Sequence, residues 1–282
     1  NRLVSLLLII GFCEVLAETS NPPSCHCEPN TLSKNKYWLD VIFAVDTSDG
    51  VIQQDFISIK SAIKTMGMLN MDRSKGPQYT RFAVINMAED STVFMNFDNA
   101  TNRADFTSKM ENFKKKGGNS VDTNKGLQLA NKMIEEEIKA GRRANVKKVV
   151  VIFTTEEINC HRSHKSDKMS FLPEIHDLCQ LVSVMEGEGV SFVTVGIKLA
   201  GTTTPKIDIT TKCNTLQNDK NTLMNIVGAM CRANCFCLDD YTQFTTGNDG
   251  CNKFAECYRV DSFALPREAA KDACADVNGK LP

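Results

Sequence analysis

The chain has 282 residues, 42% apolar and 24% charged, a globular composition that excludes wholesale disorder. Its 33 Lys and Arg against 34 Asp and Glu give a net charge of -1, which removes the global pull expected of a dedicated nucleic-acid binder. Twelve cysteines, gathered near the two ends, exceed what a reduced cytosolic protein of this size carries and imply an exported, disulfide-bonded chain.

The first residues agree with export. Arg2 supplies a positive charge, Leu3 to Phe12 is nearly all apolar, and Val15-Leu16-Ala17 fits a signal-peptidase site, so residues 1–17 read as a signal peptide. Starting at Asn1 rather than Met, the sequence reads as a fragment at this end. Cleavage after Ala17 removes Cys13 and leaves an odd number of cysteines, so one thiol is expected to be free, bridged to another chain or missing its partner. Residues 18–36 hold Pro22, Pro23 and Pro29 without apolar periodicity and read as an exposed leader pinned by Cys25 and Cys27. No later stretch approaches the ~20 apolar residues of a membrane-spanning helix.

From Trp38 strands and helices alternate. Leu39 to Val45 is an apolar, β-branched run suited to a strand buried on both faces, and it stops at the polar loop Asp46-Thr47-Ser48-Asp49-Gly50. Ile52, Phe56, Ile59, Ile63 and Met66 recur at helical spacing over residues 51–66. Arg81 to Met87 and Ser91 to Met95 read as a strand hairpin, and Asp105 to Phe113 as a short helix. The loop from Lys116 to Ser120 leads into a long helix with Leu127, Ala130, Met133, Ile134 and Ile138 on one stripe, ending near Gly141. Val149 to Phe153 and Ser191 to Gly196 are further core strands, separated by helical sequence around Leu178 to Met185, and a closing helix is expected at Asn221 to Val227. Parallel strands need crossover connections, so the pattern predicts an α/β, doubly wound, mostly parallel sheet over residues 37–231 with helices on both faces. In such sheets ligands sit at the carboxyl ends of strands. Residues 231–282 then hold Cys231, Cys235, Cys237, Cys251, Cys257 and Cys274, marking a second domain over 232–282 that is too short to bury much core alone and reads as truncated.

Three loops of the first domain resemble the metal site of the von Willebrand factor type A (vWA) family. Asp46-Thr47-Ser48-Asp49-Gly50 resembles its Asp-x-Ser-x-Ser motif, Gly117-Gly118-Asn119-Ser120 its Gly-Gly-x-Thr segment, and Val149 to Thr155 the strand ending in its Thr-Asp-Gly. The resemblance implies a Rossmann-like domain whose loops meet at one sheet edge and hold Mg²⁺ or Mn²⁺ for a carboxylate of a protein partner. Asp46, Ser48 and Ser120 are the candidate metal ligands, with Thr123 a less well-aligned substitute for Ser120. Gly50 stands where the family has a hydroxyl and Thr155 where it has aspartate, with Glu156 next to it left open as a compensating carboxylate, so the site is degenerate and the balance favours no bound ion, because Mg²⁺ asks for a near-octahedral set of hard oxygens. The C-terminal stretch resembles the start of a C-type lectin-like domain: Cys257-Tyr258-Arg259-Val260, Ala269-Ala270, Cys274 and Gly279-Lys280-Leu281 are similar to its first strand and helix. That resemblance implies a disulfide-rich α+β domain in which Cys274 bonds to a cysteine near the domain's far end, and that Ca²⁺ and carbohydrate would be bound only by the missing lectin portion. Leader, vWA domain, Cys-Phe-Cys join and lectin-like start together resemble the secreted C-type lectins of roundworms.

Other signals have ordinary readings. Glu28-Pro29-Asn30 lies in the leader, without the loop a calcium shell requires. Cys160, His161, His164, His176 and Cys179 lack zinc-finger spacing; disulfides such as Cys160 with Cys179, or Cys213 with Cys231, are preferred, with connectivity left open. The basic runs at Lys114-Lys115-Lys116 and Arg142 to Lys148 read as solvated surface. Asn99-Ala100-Thr101 is a glycosylation sequon in a polar loop. The sequence has no Gly-x-Ser-x-Gly elbow, phosphate-binding glycine loop or His-Glu-x-x-His pair, so catalysis has little support. The expected function is secreted, non-enzymatic recognition or adhesion, with a protein ligand on the vWA domain and a putative carbohydrate ligand on the lectin-like module. The alternative is a structural extracellular-matrix component with a metal-free vWA scaffold.

Overall fold

The computed structural model describes residues 12–15, 37–69, 71–76, 78–143, 145–160, 177–199, 202–235, 237, 241–246, 251–260 and 266–276. The leader, the Glu28-Pro29-Asn30 tripeptide and the three histidines of the zinc alternative lie outside them. The chain divides into two compact units, Cys27–Asn234 and a second formed by Asn1–His26 with Cys235–Pro282.

In chain order the elements are β1 (Phe12–Val15), which belongs to the second unit, then β2 (Leu39–Asp46), α1 (Gln53–Met66), β3 (Arg81–Met87), β4 (Thr92–Met95), α2 (Arg103–Glu111), α3 (Thr123–Lys139), β5 (Lys147–Thr154), β6 (Ile158–Asn159), α4 (Leu178–Gly187), β7 (Ser191–Gly196), β8 (Ile207–Asp208), β9 (Thr215–Gln217) and α5 (Thr222–Asn234). Six strands form one sheet in the order β4-β3-β2-β5-β7-β9. All neighbours are parallel except the β3–β4 hairpin at one edge. The doubly wound, mostly parallel sheet predicted from the alternation is therefore the fold.

Every residue of β2 is buried, which explains why its sequence is apolar on both faces. Leu39, Val41, Phe43 and Val45 pack with α1, α2 and α5, through Phe56, Ile59, Ile63, Phe106, Ile226 and Met230. Ile42 and Ala44 face the other way, toward Leu127, Ala130, Ile134, Leu181 and Met185 of α3 and α4. Two positions of the predicted stripes depart from the pattern. Ile52 is 42% exposed, because it caps α1 in an extended conformation while Val51 enters the core in its place. Ile138 is 50% exposed, and its neighbour Glu137 is the buried one, drawn in by Arg81 at 2.6 Å.

The chain leaves β2 toward β3 on one side and leaves β5 toward β7 on the other. Their carboxyl ends therefore flank the point where the winding reverses, which is where an open α/β sheet offers a crevice. The loops after β2 and β5 emerge there.

In the second unit, β11 (Asn252–Val260) pairs antiparallel with both β1 and β10 (Thr242–Thr246), and α6 (Arg267–Asp276) follows. Cys237 is bonded to Cys257, and Phe244 packs between Phe254 and Tyr258 at ring-centroid distances of 5.1 and 6.0 Å. The strand at Cys257 to Val260 and the helix through Ala269-Ala270 fall where the lectin-like resemblance places them. Phe12–Val15, inside the segment read as a signal peptide, forms an edge strand opposite Cys257–Val260. Among the described residues no cysteine is free.

Candidate functional site

Three loops meet at the carboxyl end of the sheet. The first follows β2, where Thr47 is tied to the end of β3 by its amide and its hydroxyl, both donating to Met87 O at 2.8 and 3.0 Å. The second precedes α3. Gly117 and Gly118 both have positive φ, +82° and +102°, a conformation that side chains disfavour and glycine tolerates. That backbone turns their amides onto the first loop: Gly117 N donates to Thr47 O at 3.0 Å and Gly118 N to Asp49 Oδ2 at 3.1 Å, while Asp49 N returns a bond to Gly118 O at 2.9 Å. The first two loops are thus stitched together backbone to backbone. The third follows β5, whose register against β2 sets Val45 opposite Phe153 and brings Thr154 and Thr155 beside Asp46.

Asp46 is fully buried at the centre of the junction. Its Oδ1 accepts the Ser48 amide at 2.9 Å, and its Oδ2 accepts both the amide and the hydroxyl of Thr155, at 3.1 and 2.5 Å. Three donors converge on one carboxylate, which is how a protein stabilises a buried negative charge without a counterion. Ser48 is 2% exposed beside it.

The structure brings Asp46 and Ser48 together and places Ser120 on the exposed surface of the second loop. Thr123, three residues on and 1% exposed, is the hydroxyl of this loop that reaches the sheet, 3.2 Å from Thr154 Oγ1. At Gly126 α3 lies directly against Met87 of β3. A Cβ there would lie 2.4 Å from Met87 Sδ, so a side chain at 126 would force Met87 to move. The Asp122 side chain caps α3 by accepting from Lys125 N at 2.9 Å, fixing Thr123 at the first helical position.

The donor set falls short of a shell for Mg²⁺ or Mn²⁺. Residue 50 offers no side-chain oxygen, and at position 155 a hydroxyl that donates to Asp46 stands where the metal site has a second carboxylate. One carboxylate with both oxygens already engaged does not fit a hard octahedral ion. Among the described residues no group of three or more His, Cys, Asp or Glu is placed to hold a metal. The part played by Thr155 was missed in the sequence, although the exchange of an acceptor for a donor at that position was its signal.

A second polar cluster occupies the opposite end of the sheet. Strand register sets Asp40 opposite both Arg81 and Lys148. Arg81 Nε and Nη2 grip its two oxygens at 2.8 Å each, Lys148 Nζ lies at 3.0 Å and Arg143 Nε at 3.2 Å. Burial alone would raise the Asp40 pKa, but the Arg81 hydrogen bonds and the charges of Lys148, Arg81 and Arg143 outweigh it and hold the group below its ordinary 3.8.

Comparison with known proteins accords with this geometry. The von Willebrand factor type A domain model matches residues 40–248. C-type lectin domain-containing protein 160 of Caenorhabditis elegans is 23% identical over 257 residues, covering 89% of this chain and 37% of that protein, so the chain spans little more than a third of its relative. Among solved structures, proximal thread matrix protein 1 from the mussel byssus superposes with a TM-score of 0.53 at 13% identity, covering 74% of this chain and 49% of that one, a likeness of fold. A zinc-occupied form of the same mussel protein gives a TM-score of 0.49 at 20% identity, covering 70% and 46%. The matched model spans most of the chain and embraces all three loops of the rim, and the chain belongs to the von Willebrand factor type A domain family.

Proposed function

We propose that this chain is a secreted, non-enzymatic recognition or adhesion protein whose vWA rim docks an extracellular protein through direct surface contacts, without an ion shared between the two. The observation that carries the reading is the Thr155 hydroxyl and amide on Asp46: the carboxylate that would hold a bridging ion is satisfied from within the chain. Disulfides support an extracellular setting, and among the described residues no helix is long and apolar enough to cross a membrane. The lectin-named relative and the Cys257 to Cys274 stretch support a carbohydrate-binding role for the second unit.

The test is thermal unfolding and calorimetry of the chain in millimolar Mg²⁺ or Mn²⁺, beside the double variant Gly50→Ser/Thr155→Asp. A side chain at residue 50 would start 3.5 Å from Ser48 Oγ and press only on the movable end of Leu199. The variant restores the missing hydroxyl and carboxylate and sets two carboxylates side by side, so a divalent ion should raise its Tm by preferential binding to the folded state. The parent chain should give no shift and no heat; a saturable shift in the parent would overturn ion-free docking and favour a weak site at Asp46, Ser48 and Ser120 or Thr123. Self-association of the purified parent without added ligand would favour the matrix-scaffold alternative.

A further inference from the structure

Asn99-Ala100-Thr101 is the one Asn-x-Ser/Thr sequence in the chain with x other than proline. It lies on the turn between β4 and α2, and the structure presents it as an acceptor. Ala100 is buried at 3% and anchors the tripeptide, with its carbonyl and that of Thr101 accepting from Arg73 Nη2 and Arg73 N, both at 3.4 Å. Asn99 and Thr101 on either side are exposed. Asn99 Oδ1 accepts the Asn96 amide at 2.7 Å, which orients the carboxamide and leaves Nδ2 with no protein partner among the described residues. A glycan on Asn99 would therefore project into solvent from a surface turn, where the fold can accommodate it.

The fold also decides where a glycan would stand. β4 runs antiparallel to β3, away from the rim, and Asp98 lies 3.7 Å from Arg81 Nη1. Arg81 is opposite Asp40, six residues before Asp46 on the same strand, so roughly 20 Å of β2 separates the two ends.

We propose that Asn99 carries an N-linked glycan, which covers the pole of the Asp40 cluster and leaves the docking rim bare. In the transfer step Asn99 Nδ2 attacks the anomeric carbon of an oligosaccharide held on a lipid diphosphate. The new C–N bond forms as the C–O bond to the diphosphate breaks; the nitrogen gives up a proton to the transferase base, and the lipid diphosphate departs. The modification rests on entry into the secretory pathway, and the test separates the two. The full chain is expressed in eukaryotic cells behind an unrelated, efficient signal sequence, and the secreted material is treated with peptide N-glycosidase. The expected result is a mobility shift on treatment, with residue 99 recovered as aspartate in the peptide map. Asn99→Gln and Thr101→Ala should both abolish the shift, and Thr101→Ser should retain it. Secreted chain with no shift, or a shift that persists in Asn99→Gln, would overturn the proposal. Failure of the native N-terminal segment to direct export, alongside a glycosylated chain from the unrelated signal, would count against the secreted reading and for the glycan site. Thr101→Ala leaves Asn99 and its bond to Asn96 in place, so a folding defect in Asn99→Gln cannot be mistaken for loss of the acceptor.

Discussion

Thr155 differs from the family's aspartate by a handful of atoms, and that difference reverses the chemistry of the rim. An aspartate there would add a second negative charge beside Asp46 and need a cation to hold the pair together; threonine adds an O–H that points the other way. Hydrogen bonds to charged groups are worth roughly 1.5–3 kcal/mol net, and a buried carboxylate that loses one keeps most of the desolvation penalty. Thr155→Val preserves shape and the backbone N–H bond but removes the hydroxyl, so it should lower unfolding stability by about 2 kcal/mol, read from urea denaturation at pH 7. Ser120→Ala should be close to neutral in the same assay, since Ser120 is exposed and makes no bond to Asp46 or Ser48, whereas Thr123→Val should weaken the rim through its lost contact with Thr154. Asp46 and Ser48 were legible because their loop resembles the family motif, and the structure adds the bond from the Ser48 amide to Asp46. The contact of Thr123 with Thr154 was not legible, because it depends on how α3 packs against β3, where Gly126 faces Met87.

At the scale of elements, periodicity finds the strands and helices, and long-range pairing decides which residue of a stripe is buried. Glu137 and Ile138 are neighbours on α3, and a hydrophobic pattern selects Ile138; the fold buries Glu137 because Arg81 of β3 and Arg142 at the helix end, at 2.6 and 2.8 Å, compensate it. Short β9 and the β6–β8 ribbon escaped for a related reason, since two or three residues carry no period and exist only through their partners. The Asp40 cluster built by β2, β3, β5 and α3 has a measurable pH signature. Its folded pKa lies below the unfolded value, so its contribution is fully present above about pH 4 and is lost as pH falls through the lower folded value. Stability should therefore drop steeply below about pH 4, and Asp40→Asn should flatten that limb. Arg81→Met should cost about 3 kcal/mol at pH 7, the lower end for a broken buried pair, because it removes the cation that Asp40 and Glu137 share and leaves them to Lys148, Arg143 and Arg142, a loss read from the urea midpoint.

The molecule as a whole is held by two kinds of constraint. The larger unit has a core on both faces of its sheet, whereas the described residues of the smaller unit form a three-stranded sheet and α6, with Cys237 bonded to Cys257. A small unit buries too little apolar surface to be secure by packing alone, so Cys237–Cys257, beside the disulfide-bonded Cys235 and Cys251, should matter more to it than Cys160–Cys179 does to the larger one, where Cys213 and Cys231 are disulfide-bonded as well. Each bond closes a loop of similar length, with sequence separations of 19 and 20, so chain entropy assigns each about 3 kcal/mol. The same increment is a modest fraction of a large core's stability and most of a small unit's. Cys160→Ala/Cys179→Ala should shift the unfolding transition of the larger unit by a few degrees and leave it cooperative. Cys237→Ala/Cys257→Ala, which leaves Cys235 and Cys251 disulfide-bonded, should lower the transition of the smaller unit by more than that while the larger one melts as before, followed by calorimetry or by amide exchange resolved to each unit. A single transition that moves equally in both variants would show instead that the two units unfold as one.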